Sequence, residues 1–167
     1  LSIYRYNKDK NMLLQEYLNA LPEMSQLLPQ AERVLSSVFE DNADYQVLQS
    51  ALLKKIQKEP QTEIYTKLLI WQYLQQQDYE MALKQLIAQD KRLKDNGATL
   101  FNTSNTFLEN KAWTTAIKAF EYLISKGKEN PYYLPAKVEM INAKYQLAIG
   151  GHFDKNAIAE LAMAYQS

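Results

Sequence analysis

Apolar residues recur at helical spacing along most of this chain of 167 residues. In its central stretch one stripe consists of Tyr65, Leu68, Leu69 and Tyr73, and the next of Tyr79, Ala82, Leu83, Leu86, Ile87 and Leu93. Such spacing brings the apolar side chains onto one face of an α-helix. Asp78, directly before the second stripe, is a residue type that caps helix N-termini. Two amphipathic helices joined by so few residues are expected to form an antiparallel hairpin.

The same pattern recurs when the sequence is shifted by about 34 residues, a length typical of helical repeats. This shift is one repeat period. It aligns Ala82 with Leu48 and Ala116, Tyr79 with Tyr45 and Trp113, Leu86 with Leu52 and Phe120, and Tyr73 with Phe39 and Phe107. A small residue lets two helix backbones approach, and the large residues beside it fill the remaining space. Self-similarity at a fixed period indicates stacked structural repeats.

With this period and these columns, the chain resembles the tetratricopeptide repeat family. The resemblance implies an all-α fold, a right-handed α-solenoid of about four to five antiparallel helical hairpins, in a single domain over residues 1–167. Its units would be a partial one at 1–28, three at 29–62, 63–96 and 97–130, and an irregular one at 131–167. The chain departs from the family pattern at Leu48 and Ile70, where small residues are usual.

The two ends of the chain are less regular than its middle. Near the N-terminus, Ile3 to Tyr6 is predicted to be the tail of one helix and Met12 to Leu21 its partner, and Asp44 is expected to cap the second helix of the next hairpin. Pro135 is expected to delay the first helix of the last unit, which carries an apolar stripe and precedes a final helix. The residues of that stripe are Val138, Ile141, Tyr145 and Ile149, and those of the final helix are Ile158, Leu161 and Met163. Neither end has a polar capping face, so further repeats of the same chain are expected at both ends.

Composition narrows the classes of function. Lys plus Arg and Asp plus Glu number 19 each, so no overall charge favours nucleic acid or anionic lipid. Cysteine is absent and His152 is the only histidine, which excludes the usual zinc sites. No phosphate-binding loop or hydrolase motif occurs, and no apolar run is long enough for membrane insertion. We therefore expect neither enzymatic activity nor a cofactor. For localisation we favour the bacterial cell envelope or periplasm over the cytoplasm.

In the tetratricopeptide family the first helices of successive hairpins line a concave groove that binds peptides or partner proteins. By register, the resemblance places in this groove Arg33, Lys67, Trp71, Gln75, Phe101, Asn102, Asn105, Glu109 and Asn142. Trp71 lies off the apolar stripe of its helix, and it has two interpretations. It is either an anchor for a partner, as tryptophan often is at interfaces, or a packing residue between neighbouring hairpins.

Some family members clamp the carboxyl terminus of a chaperone peptide with basic and amide side chains. Here Lys67 and Asn102 match two of the five clamp positions, whereas Trp71, Tyr132 and Ala136 occupy the others. The resemblance therefore does not extend to chaperone-tail binding.

The function predicted on these grounds is a non-enzymatic scaffold that binds a protein or peptide and belongs to a longer protein. One alternative is an RNA-binding array of the pentatricopeptide type, which has a similar period. Trp71, Leu74 and the balanced charge do not suit that alternative. A second alternative is the helical arm of an enzyme whose catalytic domain lies outside this chain.

Overall fold

The computed structural model describes residues 2–150 and residues 160, 163 and 164, with side chains from residue 8 onward. In this part of the chain all regular secondary structure is helical, which confirms the all-α class. The α-helices are α1 Ser2–Ala20, α2 Leu28–Val38, α3 Asn42–Lys58, α4 Glu63–Gln75, α5 Tyr79–Leu93, α6 Ala98–Glu109, α7 Trp113–Ser125 and α8 Tyr133–Gly150. A short 3₁₀-helix, Ser25–Leu27, precedes α2.

The chain divides into two compact units, Leu1–Asp78 with α1 to α4 and Tyr79–Ser167 with α5 to α8. In the first unit α4 contacts α2 and α3, and α1 contacts α2. In the second unit α7 contacts α5, α6 and α8. None of the described helices is long and apolar enough to cross a membrane.

The N-terminal region is one continuous helix, so the prediction of two helices between Ile3 and Leu21 is wrong. The polar run from Asn7 to Asn11 contains neither Gly nor Pro, and α1 passes through it without a break. Within this run Lys10 is buried, and its Nζ lies 3.1 Å from Asp44 Oδ2. The polar run therefore forms part of a helix, and one of its members makes an ion pair instead of marking a turn.

The cap of α3 is Asp41, not Asp44 as predicted. The Asp41 side chain accepts a hydrogen bond from the Asp44 backbone N–H at 3.1 Å. Asp44 lies three residues further on, in the first turn, where its carboxylate accepts from the Glu40 N–H at 2.9 Å. This arrangement differs from a capping box, because Asp44 accepts from the N–H of the residue before the N-cap and not from the N–H of the N-cap itself.

Apolar side chains from all four helices and the turns after them fill the first unit. Those buried are Leu14, Leu18, Leu21, Ala31, Leu35, Phe39, Leu48, Leu52, Ile64, Tyr65, Leu68, Leu69, Ile70 and Tyr73. α4 is buried over most of its circumference, more than the predicted stripe required, as is typical of a helix that is apolar all round. The hydroxyl of Tyr65 donates to the Leu18 carbonyl at 3.1 Å, so this buried phenol is satisfied.

The second unit has smaller residues in its core. Ala82 and Ala116, one repeat period apart, are both completely buried, as predicted for the small-residue column. Their neighbours one turn on, Leu86 and Phe120, are buried as well. The ring of Tyr79 in α5 meets that of Phe107 in α6 edge-on, with centroids 5.7 Å apart. The burial of these four aligned residues confirms that both columns lie in the core of this unit.

Two helix-ending turns, one repeat period apart, have the same backbone geometry. Gln77 and Lys111 both have positive φ, 58° and 59°. The Asp78 N–H donates to the Tyr73 carbonyl and the Ala112 N–H to the Phe107 carbonyl, each at 2.8 Å. A left-handed residue followed by such a long-range hydrogen bond ends a helix by satisfying its last carbonyls. The two turns therefore share their backbone geometry at the spacing of the proposed repeat.

α8 begins at Tyr133, so Pro135 lies in its first turn and the helix start is delayed, as predicted. The face of α8 differs from the predicted one. Its buried residues are Ala136, Ala143 and Ala148, whereas Val138, Tyr145 and Ile149 are exposed and Ile141 is half-buried. α8 packs along α7, and its buried Ala136 and Ala143 lie on the side of the helix opposite Val138 and Tyr145.

Most of the predicted final helix, including Ile158 and Leu161, lies outside the described residues. Glu160, Met163 and Ala164 are helical. Met163 is 70% exposed, so it does not belong to a buried stripe as predicted. The Glu160 carboxylate lies 3.9 Å from Lys144 Nζ, beside α8.

Candidate functional site

Three of the predicted groove residues share one face of α4, because they are spaced four residues apart. Lys67 and Gln75 are exposed. Trp71, between them, is half-buried, and its ring centroid lies 6.4 Å from that of Tyr45 in α3. The ring packs against the neighbouring helix, as the packing interpretation expects, and keeps part of its surface accessible. The interpretation of Trp71 as an anchor for a partner stays a prediction.

Gln72, which sequence reasoning did not single out, fixes the position of Tyr45 beside Trp71. The side chain of Gln72 is completely buried, and its Nε2 donates to the Tyr45 carbonyl at 3.0 Å and to Gln76 Oε1 at 3.1 Å. The Gln49 Oε1 lies at 3.4 Å from the same nitrogen. Gln72 Oε1 has no hydrogen-bond partner. An unsatisfied buried acceptor destabilises the folded state. The amide is kept in its buried position by the hydrogen bonds that its nitrogen donates.

A second set of predicted residues shares a face of α6. Asn105 and Glu109 are exposed, as is Asn102 at the edge of the same face. Phe101 is half-buried because its ring lies between two others, with centroids 5.0 Å from Tyr132 and 6.4 Å from Phe120. Phe101 therefore serves mainly to pack α6 against its neighbours.

The two remaining predicted residues lie apart from these sets. Arg33 is exposed on α2, in the first unit, and Asn142 is exposed on α8, in the second. The structure thus brings predicted residues together on two separate helix faces. The α4 face holds Lys67, Trp71 and Gln75, and the α6 face holds Phe101, Asn102, Asn105 and Glu109.

Among the described residues, the sequence analysis missed one buried ionic cluster in the second unit. Asp90, at the end of α5, is buried and accepts hydrogen bonds from the Gly97 N–H and the Tyr122 hydroxyl, each at 2.7 Å. Lys126 forms an ion pair with the same carboxylate, and its Nζ lies 5.0 Å from the centroid of the Tyr122 ring. The sequence signal was weak because these residues are far apart in the chain and none belongs to a repeat column.

The pKa values of this cluster follow from its contacts. Burial opposes ionisation of Asp90, but the hydrogen bonds from Lys126, Tyr122 and Gly97 outweigh it, so the pKa of Asp90 is below its ordinary value. Burial and the neighbouring carboxylate raise the pKa of Tyr122. Burial alone would lower the pKa of Lys126, but its bond to Asp90 raises it. All three shifts stabilise the charge pair and the neutral phenol found here.

The cluster holds the turn between α5 and α6 in place. Lys94, Asn96 and Gly97 in this turn all have positive φ, and a Cβ added at Gly97 would collide with the Leu123 side chain. The Asn96 carbonyl also accepts a hydrogen bond from Asn130 Nδ2 at 2.8 Å. Because every group in the cluster has a partner within the protein, we interpret the role of the cluster as structural: it stabilises the conformation of this turn.

A smaller ionic group joins α5 to α7. Glu80 accepts hydrogen bonds from Thr115 Oγ1 at 2.8 Å and from Lys118 Nζ at 3.0 Å. The hydrogen bond from Lys118 is the largest influence on Glu80 and lowers the pKa of its carboxyl group. Glu80 and Lys118 are both about half exposed, so solvent screening leaves little net stabilisation.

The described part of the chain contains no cluster of three or more His, Cys, Asp or Glu residues that could hold a metal ion. One open groove of about 410 Å³ lies between α1 and α3 in the first unit. Its lining residues are Gln15, Gln46, Val47, Ser50, Ala51 and Lys54, none of which was predicted to bind a partner.

Comparisons with protein-family models, with curated proteins and with solved structures give no match for this chain. The resemblance to tetratricopeptide repeats, based on the repeat period and its columns, therefore stays a prediction.

Proposed function

We propose that the chain is a right-handed α-solenoid of tetratricopeptide-like hairpins that binds an extended segment of a partner protein through its first helices. One observation supports this most directly. Three residues on α4 (Lys67, Trp71 and Gln75) stand one repeat period before three on α6 (Phe101, Asn105 and Glu109). Two residues of each set are exposed and the third, Trp71 or Phe101, is half-buried. The neighbouring positions Leu68 and Leu69 on α4, and Ser104 and Phe107 on α6, are buried.

The chemistry of these faces suits a peptide. Gln75, Asn102 and Asn105 carry amides that can both donate to and accept from the backbone of an extended chain. The accessible part of Trp71 offers an apolar contact of the kind that anchors interfaces. Lys67 gives the α4 face a positive charge and Glu109 gives the α6 face a negative one, so the partner segment is expected to carry complementary charges. No catalytic role is assigned to any of these residues.

The experiment that tests this proposal is a peptide selection from a displayed library on the wild-type chain, followed by titration of the selected peptide. One variant carries Lys67→Ala with Gln75→Ala, and the second carries Asn102→Ala with Asn105→Ala. All four residues are exposed, so both variants are expected to fold. We expect each variant to weaken binding by about tenfold, which corresponds to about 1.4 kcal/mol.

The matched control carries Lys84→Ala with Glu121→Ala, two exposed residues on the second helices α5 and α7. It should bind the peptide with unchanged affinity. Peptide binding that none of the α4 and α6 substitutions weakens would contradict the proposal, as would failure to select any peptide. Binding of single-stranded RNA that is lost in the same variants would favour the pentatricopeptide alternative instead.

A further inference from the structure

The groove between α1 and α3 includes none of the residues to which the proposed function refers. Before the groove, Lys10 Nζ lies 3.1 Å from Asp44 Oδ2. After it, Lys55 Nζ lies 3.4 Å from Asn19 Oδ1, so the two helices run in the same direction. Between these contacts an open volume of about 410 Å³ remains, the α1–α3 groove, lined by Gln15, Gln46, Val47, Ser50, Ala51 and Lys54.

The polar side chains of the α1–α3 groove are exposed, and none of them has a hydrogen bond or an ion pair within the described part of the chain. These side chains are Gln15, Gln46, Ser50 and Lys54. Helical serines elsewhere, such as Ser36 and Ser104, donate to a carbonyl of their own helix. The Ser50 hydroxyl does not, so both it and the Lys54 ammonium group can bind a group from outside.

The aligned positions of the second unit hold carboxylates. Two repeat periods after the groove residues Val47, Ser50 and Lys54, α7 carries Thr115, Lys118 and Tyr122. The first two of these α7 residues donate to the Glu80 carboxylate of α5, and the third donates to that of Asp90. In the second unit, this column therefore meets acidic side chains of the helix that stands one repeat period earlier.

α1 supplies no such carboxylate to α3. Its acidic residues are Asp9 and Glu16, and neither forms an ion pair among the described residues. Ser50 and Lys54 stand one helical turn apart on the same face of α3, so one carboxylate can accept from the hydroxyl and pair with the ammonium group. The charge of the groove therefore favours an acidic side chain that comes from a partner.

The size of the α1–α3 groove favours an extended segment over a helix. A helix with its side chains is about 10–12 Å across and rises about 5.4 Å per turn, so one turn occupies roughly 400–600 Å³. The groove therefore has room for at most about one helical turn. The amides of Gln15 and Gln46 can both donate to and accept from an extended backbone, and Val47 and Ala51 add apolar contact.

We propose that the α1–α3 groove binds a short extended segment of a partner protein, and that Ser50 and Lys54 hold an acidic side chain of this segment. The groove lies entirely within the first unit. It is separate from the α4 and α6 faces of the proposed function, so either binding surface can fail without the other.

The test uses two displayed libraries of short peptides that differ only at the central position, which is glutamate in one and glutamine in the other. We expect the glutamate library to yield peptides that Lys54→Gln binds about tenfold more weakly than the wild-type chain does. Changing the central glutamate to glutamine should weaken wild-type binding by a similar factor, but should have little further effect on Lys54→Gln. Lys84→Gln removes the same charge from an exposed position on α5 and should bind unchanged.

Three results would overturn the inference. Equal weakening by Lys54→Gln and Lys84→Gln would show that overall charge explains the binding. Equal selection from both libraries, or no selection from the glutamate library, would show that the groove does not require an acidic side chain. Peptides whose binding is lost with Lys67→Ala and Gln75→Ala, but kept with Lys54→Gln, would support the proposed function and contradict the groove.

Thiol protection locates the bound peptide independently, because the chain contains no cysteine. Val47→Cys places a single thiol in the groove, and Thr114→Cys places one at an exposed position of α7 as the control. With the selected peptide at about ten times its dissociation constant, roughly one site in ten stays free. Labelling of Val47→Cys should therefore slow about tenfold, and that of Thr114→Cys should not change. An unchanged rate at Val47→Cys would contradict the inference.

Discussion

α6 and α8 carry aligned columns one repeat period apart, belong to the same compact unit and both contact α7, yet they differ in which face is buried. α6 buries Leu100, Ser104 and Phe107, whereas α8 leaves the aligned Leu134 and Val138 exposed. Periodicity therefore predicts where a helix carries its apolar stripe, but it does not determine whether a neighbour covers that stripe. α8 contacts α7 even though Leu134 and Val138 are exposed.

The largest loss of stability is expected at a small residue that is buried at the contact between helices. Ala116 is completely buried in α7, the helix that contacts both α6 and α8. Ala116→Glu would bury a charge at this contact, and we expect it to cost more than about 4 kcal/mol and to unfold the unit. Thr114→Glu, at an exposed position of the same helix, should change stability by less than about 0.5 kcal/mol. Wild-type melting behaviour of Ala116→Glu would show that the proposed register is wrong.

The comparison of buried and exposed positions also applies to Trp71, the best candidate binding residue. Phe120 is buried, whereas Trp71 is half-buried against Tyr45. We expect Phe120→Ala to lower the free energy of unfolding by about 3 to 5 kcal/mol, and Trp71→Ala by about 1 to 2 kcal/mol, because less surface returns to water. Urea denaturation measures both values. Equal large losses would assign Trp71 to the core and remove it from the candidate surface.

A smaller effect is expected at the turn that leads into α6. Asp90→Asn removes the charge that Lys126 and Tyr122 bind, and we expect a loss of about 2 kcal/mol near pH 6. Because the folded-state pKa of Asp90 is lowered, its contribution is present above the unfolded value of about 3.9 and disappears as the pH falls through the folded value. The stability difference between wild type and variant should therefore narrow below about pH 4.

The same linkage argument predicts how the stability of the wild-type protein changes at high pH. The pKa of Lys126 is raised in the folded state, so its contribution to stability is complete below the unfolded value of about 10.4 and decreases above it.

Glu121→Gln, an exposed change on α7, serves as the control for Asp90→Asn and should follow the wild-type pH profile. A constant difference between Asp90→Asn and wild type from pH 3 to pH 6 would show that the ion pair does not form as described.

Much of the stretch from Gln77 to Phe120 could be predicted from the sequence because its columns repeat. The aligned Ala82 and Ala116 are buried, and the turns at Gln77 and Lys111 share their geometry. Neither turn residue is glycine, so local composition gave no indication of the positive φ. The face of α8 was predicted wrongly because large apolar residues were assumed to be inside, whereas its buried residues are alanines.

The candidate surface was less predictable than the fold. Register placed Lys67, Gln75 and Asn105 on exposed faces, and the structure finds them exposed. It could not show that Phe101 packs between other rings, since Tyr132 lies in a later turn of the chain and outside the repeat columns. The buried amide of Gln72 was also missed, because a polar residue on a helix is ordinarily assigned to the solvent side.

The most direct test of the comparison uses one substitution at two aligned positions. Leu100 is 1% exposed and Leu134 is 69% exposed, although the two leucines occupy the same column of successive repeats. Urea denaturation of Leu100→Ala should show a loss of about 2 to 4 kcal/mol, and that of Leu134→Ala less than about 0.5 kcal/mol. Equal losses at both positions would contradict the account, because they would show that α8 is covered in the same way as α6.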